Sequence, residues 1–286
     1  MQSFDESQIR KVQLVSLKMA EYFVRFCDEN HLLCFFCGGG CIGAVRHHGF
    51  IPWDDDLDFF LPREDYEKLK IIWNDTEQYT LRYPTQEDND HNIFITLRDK
   101  TTTMVKEYQK DLDIPHGIAI DVFPLDGCPK KKTKRISQLF WALLFQLYGA
   151  QMVPTHHGII VKVAGRVLLG LVKSNALRYK IWKYAERKMS QYPIANSKYI
   201  TELCAGPHYM RLQYPKEIFL SALRVDFENT EMPIPVGYDQ YLKLAFGNYM
   251  NMPPKDLRVP SHEAFIDPEK PYTIYRGIEY CVNKDM

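Results

Sequence analysis

Asp56 and Asp58 stand two apart in Asp56-Leu57-Asp58-Phe59-Phe60-Leu61, a run whose apolar content predicts a strand. Residues two apart on a strand point to the same side, so this spacing presents two carboxylates together. Two like charges that close call for a cation. A hard divalent ion with oxygen ligands answers the need, with Mg2+ shared with substrate phosphates expected first and Mn2+ second. The competing reading is a solvated acidic loop, Asp54-Asp55-Asp56, but Trp53 before it and the apolar run after it argue for a site. An EF-hand is excluded, because counting from Asp54 puts Phe59 where the sixth position needs glycine.

Just upstream, Gly38-Gly39-Gly40 follows the apolar run Leu32 to Phe36 and precedes Cys41 to His48, which reads as a short helix closed by Gly49. Strand, glycine turn and helix start make a phosphate cradle. Residues without Cβ let the backbone approach an anion, and the free N–H groups of the helix point at it. Arg46 adds donors matched to phosphate oxygens, and His47 adjoins the same loop. A lone carboxylate, Asp121, interrupts a further apolar strand, Ile118 to Phe123, where a buried charge needs either an arginine partner or a metal.

The stretch Gly38-Gly39 followed by IGAVRHHGFIPWDDDLDFFLPREDYEKL resembles the signature of the LicD family. So do Gly117 to Gly127, and Phe246 to Met250 with Pro253-Pro254 and Arg258 to His262. The resemblance implies an α+β (mixed α/β) fold: a nucleotidyltransferase-like core with a central mixed β-sheet flanked by helices, plus a helical insertion. It also implies an enzyme that moves phosphocholine from a CDP-activated donor such as CDP-choline to a sugar hydroxyl of a surface glycan precursor, teichoic acid or another polysaccharide, releasing CMP. Asp121 then joins Asp56 and Asp58 as the third acidic residue of the site, completing the metal set or taking the hydroxyl proton. Gly38, Gly39, Arg46, His47, Trp53 and His262 fall on the substrate side. Three positions depart from the family pattern: Gly40 for a hydroxyl residue, Asn248 for an aspartate and Ser261 for the first of a histidine pair. A choline head group wants an aromatic cage, for which Trp53, Tyr66 and the tail tyrosines are candidates. Two other readings remain: a metal-dependent nucleotide-sugar glycosyltransferase and a non-catalytic binding module.

Around these residues the chain reads as a globular protein. It has 286 residues, 45% hydrophobic and 13% aromatic, enough for one large or two modest domains. Its 36 basic and 36 acidic residues cancel, so no global field draws it to nucleic acid. Seven cysteines without framework spacing, and a polar start, MQSFDESQIRK, read as cytoplasmic. Cys34, Cys37, Cys41 and His31 lack a second CxxC pair and read as core thiols, not a zinc site.

Ser7 to Asn30 has the three-and-four apolar spacing of an amphipathic helix, capped by Asp5 or Ser7, and Pro62 opens another through Asp75. Short strands follow at Tyr79–Tyr83, Ile93–Arg98 and Thr103–Glu107. The expected parts are a catalytic core over 1–130, a basic and apolar helical insertion over 131–200, and a C-terminal lobe over 201–286 whose prolines fix turns. Within the insertion, Ile136 to Val153 follows a lysine cluster, and Ile159 to Lys173 carries Lys162, Arg166 and Lys173 on one stripe. Neither run suits a membrane span; both fit helices lying on an anionic inner leaflet, or ordinary helices packing a second core with snorkelling lysines.

Overall fold

The computed structural model describes residues 6–152, 159–260 and 263–282. Its elements run α1 (Glu6–Glu29), β1 (Phe35–Cys37), α2 (Gly38–His47), β2 (Asp58–Pro62), α3 (Arg63–Ile72), β3 (Tyr79–Arg82), β4 (Ile95–Asp99), β5 (Thr103–Lys106), β6 (Ala119–Gly127), α4 (Lys132–Ala150), α5 (Ile159–Leu171), α6 (Asn175–Met189), β7 (Tyr199–Glu202), β8 (Tyr214–Pro215), β9 (Ala222–Phe227), β10 (Thr230–Pro235), α7 (Tyr238–Phe246) and β11 (Ala264–Asp267). Internal packing groups Met1–Arg82, Thr96–Phe123 and Glu217–Met286 into one unit, and Tyr83–Ile95 with Pro124–Lys216 into a second.

In the first unit the strands lie in the order β1-β2-β6-β4-β3, with β1 antiparallel to β2 and β3 antiparallel to β4. This is the expected α+β class, a central sheet with helices on it. Period two in β2 sends Phe59 to one face, where it meets Phe23 of α1 at 5.1 Å. Phe60 goes to the other face, against Phe123, Phe219 and Tyr241. Both faces are covered, which is why the strand reads as a continuous apolar run with its one carboxylate, Asp58, at its mouth. The hairpin β9–β10 lays Phe227 on Phe36 and Phe50. Pro233 and Pro235, expected to fix turns, instead lie in β10 opposite Arg224 and Ala222, and proline is tolerated in such an edge strand.

The triglycine segment is not a loop before a helix. Gly38, Gly39 and Gly40 form the first turn of α2, and it is His48, at φ 54°, and not Gly49, that closes the helix in the left-handed conformation. Gly40 is glycine for a packing reason: a Cβ there would stand 2.3 Å from Phe36 Cζ. The aromatic ring fills the space that any side chain at this position would need. Gly40→Thr is therefore expected to cost about 1–3 kcal/mol by overpacking, read as a lower midpoint in urea unfolding at unchanged slope.

In the second unit, the end of β6 pairs with β7, and β7 with β8. Helices α4 and α6 pack against each other through Phe145 and Trp182, and Arg135, buried, bonds Gln138, Thr201 and the Met210 carbonyl. The two helical runs expected of this region are present as α4 and α5, and α6 follows them. No helix among the described residues is long and apolar enough to cross a membrane. All seven cysteines are buried and unpaired by disulfides, as the core-thiol reading requires, and burial pushes the Cys41 thiol far up.

Candidate active site

Strand pairing delivers the site. Cys37, the last residue of β1, sits opposite Asp58 at the start of β2, so α2 leaves the sheet directly over the Asp58 carboxylate. On the other side of β2, the Asp121 amide donates to the Leu57 carbonyl at 3.1 Å, setting Asp121 of β6 beside the same end. Asp56 lies two residues before Asp58 in the connection that enters β2 and not within the strand. This connection is pinned from α1: Gln13, buried, donates to the carbonyls of Ile51 and Asp54 at 3.2 and 2.9 Å.

Five carboxylates, those of Asp54, Asp55, Asp56, Asp58 and Asp121, crowd this region. Burial, then Asp56, Asp121 and Asp54 in turn, raises the Asp58 carboxyl well above the ordinary range. Asp54 is pushed up to about 8, by burial first, then by the charge of Asp56, a hydrogen bond with it, and Asp55, against the pull of Arg46. Asp121 Oδ1 is buried and has no hydrogen-bond partner among the described residues. Oxygens of Asp54, Asp55 and Asp56 lie within 4.8 Å of one another. Crowded carboxylates, two of them driven toward the protonated form, and an orphaned buried oxygen form a donor set suited to a hard divalent ion.

The sign of the pH dependence follows. Carboxyls whose folded pKa lies above the unfolded value stabilise the fold below the unfolded pKa, near 4, and lose that contribution as pH rises through the folded one. Metal-free protein is thus expected to lose stability between pH 5 and 8, on the order of a few kcal/mol or roughly 5–10 °C in Tm. Differential scanning fluorimetry in chelator across that range, repeated with excess Mg2+ or Mn2+, checks it; the metal should flatten the slope.

The glycines serve these carboxylates as much as any anion. A Cβ on Gly39 would stand 2.2 Å from Asp54 Oδ2, and one on Gly38 would stand 3.1 Å from Asp58 Oδ2. Gly38 also has φ +56°, which suits glycine. Its amide is already donated to the Tyr241 hydroxyl at 3.1 Å, so the N–H groups of Gly39 and Gly40 are those remaining in the first turn of the expected cradle.

Arg46 is held by the C-terminal lobe: it donates to the carbonyls of Tyr249 and Asn251 at 2.6 and 3.2 Å, and through Nε to His47 Nδ1 at 3.3 Å. Its pKa is lowered by burial and then by Arg258, with Asp54 opposing. His47 is lowered by burial and by Arg46, which favours its neutral form. Arg258 lies over the Trp53 ring, 5.4 Å from its centroid. Trp53 therefore carries a cation of the chain itself, and the buried Tyr66 is flanked by Arg63 and Lys70. The cage expected of those two rings for a quaternary ammonium is not what they form. His262, the remaining expected substrate residue, lies outside the described residues.

Sequence reasoning missed three members. Asp54 looked like one aspartate of a solvated triplet, and only the absent side chain of Gly39 signals its approach. Arg258 is remote in sequence. Lys106, half-buried at the end of β5, has burial working against its charge, yet Asp121, helped by Tyr108 and Asp56, outweighs this and holds its pKa above that of an ordinary lysine.

Residues 31–125, which contain all of these carboxylates, match the family described as LicD/FKTN/FKRP, nucleotidyltransferase domain. The chain is 28% identical over 280 residues, 90% of its own length and 98% of the relative's, to the lipopolysaccharide cholinephosphotransferase LicD of Haemophilus influenzae. It is 33% identical over 89 residues, 28% of its length and 34% of the relative's, to an uncharacterized protein of Rickettsia prowazekii, and 25% identical over 130 residues, 43% and 40%, to one of Rickettsia typhi. Residues 31–125 are thus similar to the nucleotidyltransferase domain of that family, and most of the chain is similar to a LicD protein.

Proposed function

We propose that this protein is a phosphotransferase that moves phosphocholine from a CDP-linked donor, CDP-choline, to a hydroxyl of a saccharide acceptor, releasing CMP. The reading is supported by the charges of Asp56, Asp121 and Asp54 acting together on the Asp58 carboxyl, and by Asp121 Oδ1, buried without a hydrogen-bond partner among the described residues. The near full-length similarity to a cholinephosphotransferase supports the choice of group transferred. Lipopolysaccharide is what that relative's name gives as the acceptor; teichoic acid or another surface polysaccharide fits the same chemistry.

Asp56, Asp58 and Asp121 would hold a Mg2+ ion, with Mn2+ as a substitute, and Asp54 closes on Asp56 beside them. Such an ion would neutralise phosphate oxygens and orient the diphosphate. The rest falls to the chain. Arg46 and Arg258, kept close against their mutual repulsion, offer donors to the diphosphate together with the amides of Gly39 and Gly40. The acceptor oxygen attacks the phosphorus nearer choline as the bridging P–O bond to CMP breaks. Seven buried thiols fit a reducing, cytoplasmic compartment.

The test is to incubate the protein with Mg2+ and CDP-choline, with and without a saccharide acceptor, and to follow CMP. Acceptor-dependent CMP release supports the reading. Release of a nucleoside diphosphate from nucleotide sugars, and none from CDP-choline, overturns it in favour of glycosyl transfer.

A further inference from the structure

Helix α5 is turned inside out for a soluble protein. Of its described side chains, Gly165 and Leu169, four apart, are buried, and the Leu168 carbonyl accepts from Tyr148 of α4. At 100° per residue the direction opposite that contact falls on Val163, Val167 and Leu171, which are 54%, 54% and 75% exposed. The outward face of a helix resting on a protein is ordinarily its polar one; here it is aliphatic. Arg166 stands on its flank, and Lys173 follows the helix, both exposed.

Helix α4 repeats the arrangement. Ile136, Phe140 and Leu143 form a second outward apolar stripe, 67%, 52% and 48% exposed. Exposed Lys130, Lys131, Lys132 and Lys134 stand at its start. Phe140 continues through Trp141 to Tyr184 of α6, whose ring carries Arg187 and Lys188. Charge is segregated to match: from Gly127 to Ala185 there are eleven lysines and arginines and no aspartate or glutamate, in a chain whose overall net charge is zero.

We infer that the outward apolar faces of α4 and α5, with their surrounding cations, dock on an anionic phospholipid bilayer, the helices lying in the interface and not crossing it. Aliphatic and aromatic side chains entering the headgroup boundary, with lysines and arginines beside them, are the chemistry of an interfacial amphipathic helix. A protein partner would need carboxylates facing at least four separate groups of cations around aliphatic stripes. A lipid surface supplies negative charge and apolar depth everywhere at once.

The experiment mixes the full chain with vesicles of phosphatidylcholine alone or with one-third phosphatidylglycerol, and measures cosedimentation. Binding to the anionic vesicles is expected to be at least tenfold tighter, and to weaken sharply in ~1 M salt, where the Debye length is about 3 Å. Leu171→Asp and the double change Lys131→Glu, Lys132→Glu should each reduce binding about tenfold with circular dichroism and Tm unchanged, since these side chains are exposed. CMP release from soluble donor should be the same in these variants as in the native chain, which separates this inference from the proposed reaction. Native protein that ignores anionic vesicles at low salt overturns it, as does Leu171→Asp binding like the native chain. A lipid-free oligomer that Leu171→Asp dissolves overturns it too, by giving this face to a second copy.

Discussion

Asp58→Asn is expected to lower acceptor-dependent CMP release at least ~10³-fold while raising the thermal stability of the metal-free protein. The two effects have one cause. Asp58 is half-buried beside Asp56, Asp121 and Asp54, and its carboxyl is forced toward protonation by desolvation and by those neighbours. Asparagine keeps the shape and removes the repulsion, so the fold gains on the order of 1–2 kcal/mol near neutral pH. The same change deletes a charge needed to hold a divalent ion, so the slope of stability against pH and the stabilisation by Mg2+ should both shrink. Parallel measurement of CMP release and of Tm in chelator checks it. A variant that loses activity and stability together would make Asp58 a structural residue. Full activity would remove it from the metal set.

The reasons Asp58 was legible in the sequence and Asp54 was not are physical. A carboxylate on a strand flanked by Phe59, Phe60 and Leu61 is conspicuous because burying it needs a compensating partner, and the same logic singles out Asp121 inside Ile118 to Phe123. Element types also followed from periodicity: α1 spans Glu6–Glu29 against the expected Ser7 to Asn30, and β6 begins one residue after its predicted start at Ile118. Periodicity says nothing about distance across the chain. It could not show that Asp54 reaches Gly39, that Arg46 is gripped by the carbonyls of Tyr249 and Asn251, or that Arg258 caps Trp53. Glycine was read correctly as a mark of close approach, but a second approaching group was not foreseen: beside the expected phosphate, the atoms nearest to where a Cβ on Gly38 or Gly39 would stand belong to Asp58 and Asp54. The prolines of β10 failed for a related reason, since an edge strand and a turn both accept a residue without an N–H.

Gly39→Ala separates these two uses of glycine. The position lies in the first turn of α2 at an ordinary helical φ, so alanine gains helix propensity, about 0.5–1 kcal/mol. Its Cβ, however, would stand 2.2 Å from Asp54 Oδ2 and 3.1 Å from Asp54 Cγ. That carboxylate must swing away, breaking its hydrogen bond with Asp56 and reorienting an oxygen set that spans 4.8 Å. Displacement on the scale of 1 Å costs about 100-fold in rate where geometry is the source of catalysis. The expected result is a folded protein, within about 1 kcal/mol of the native stability, that releases CMP about 100-fold more slowly and needs more Mg2+ for half-maximal rate. If Gly39 served only to admit a phosphate, the defect would appear as a raised KM for the CDP-linked donor at unchanged Mg2+ requirement. Titrating metal and donor separately against this one variant therefore distinguishes a glycine that shapes the carboxylate cluster from one that admits the diphosphate.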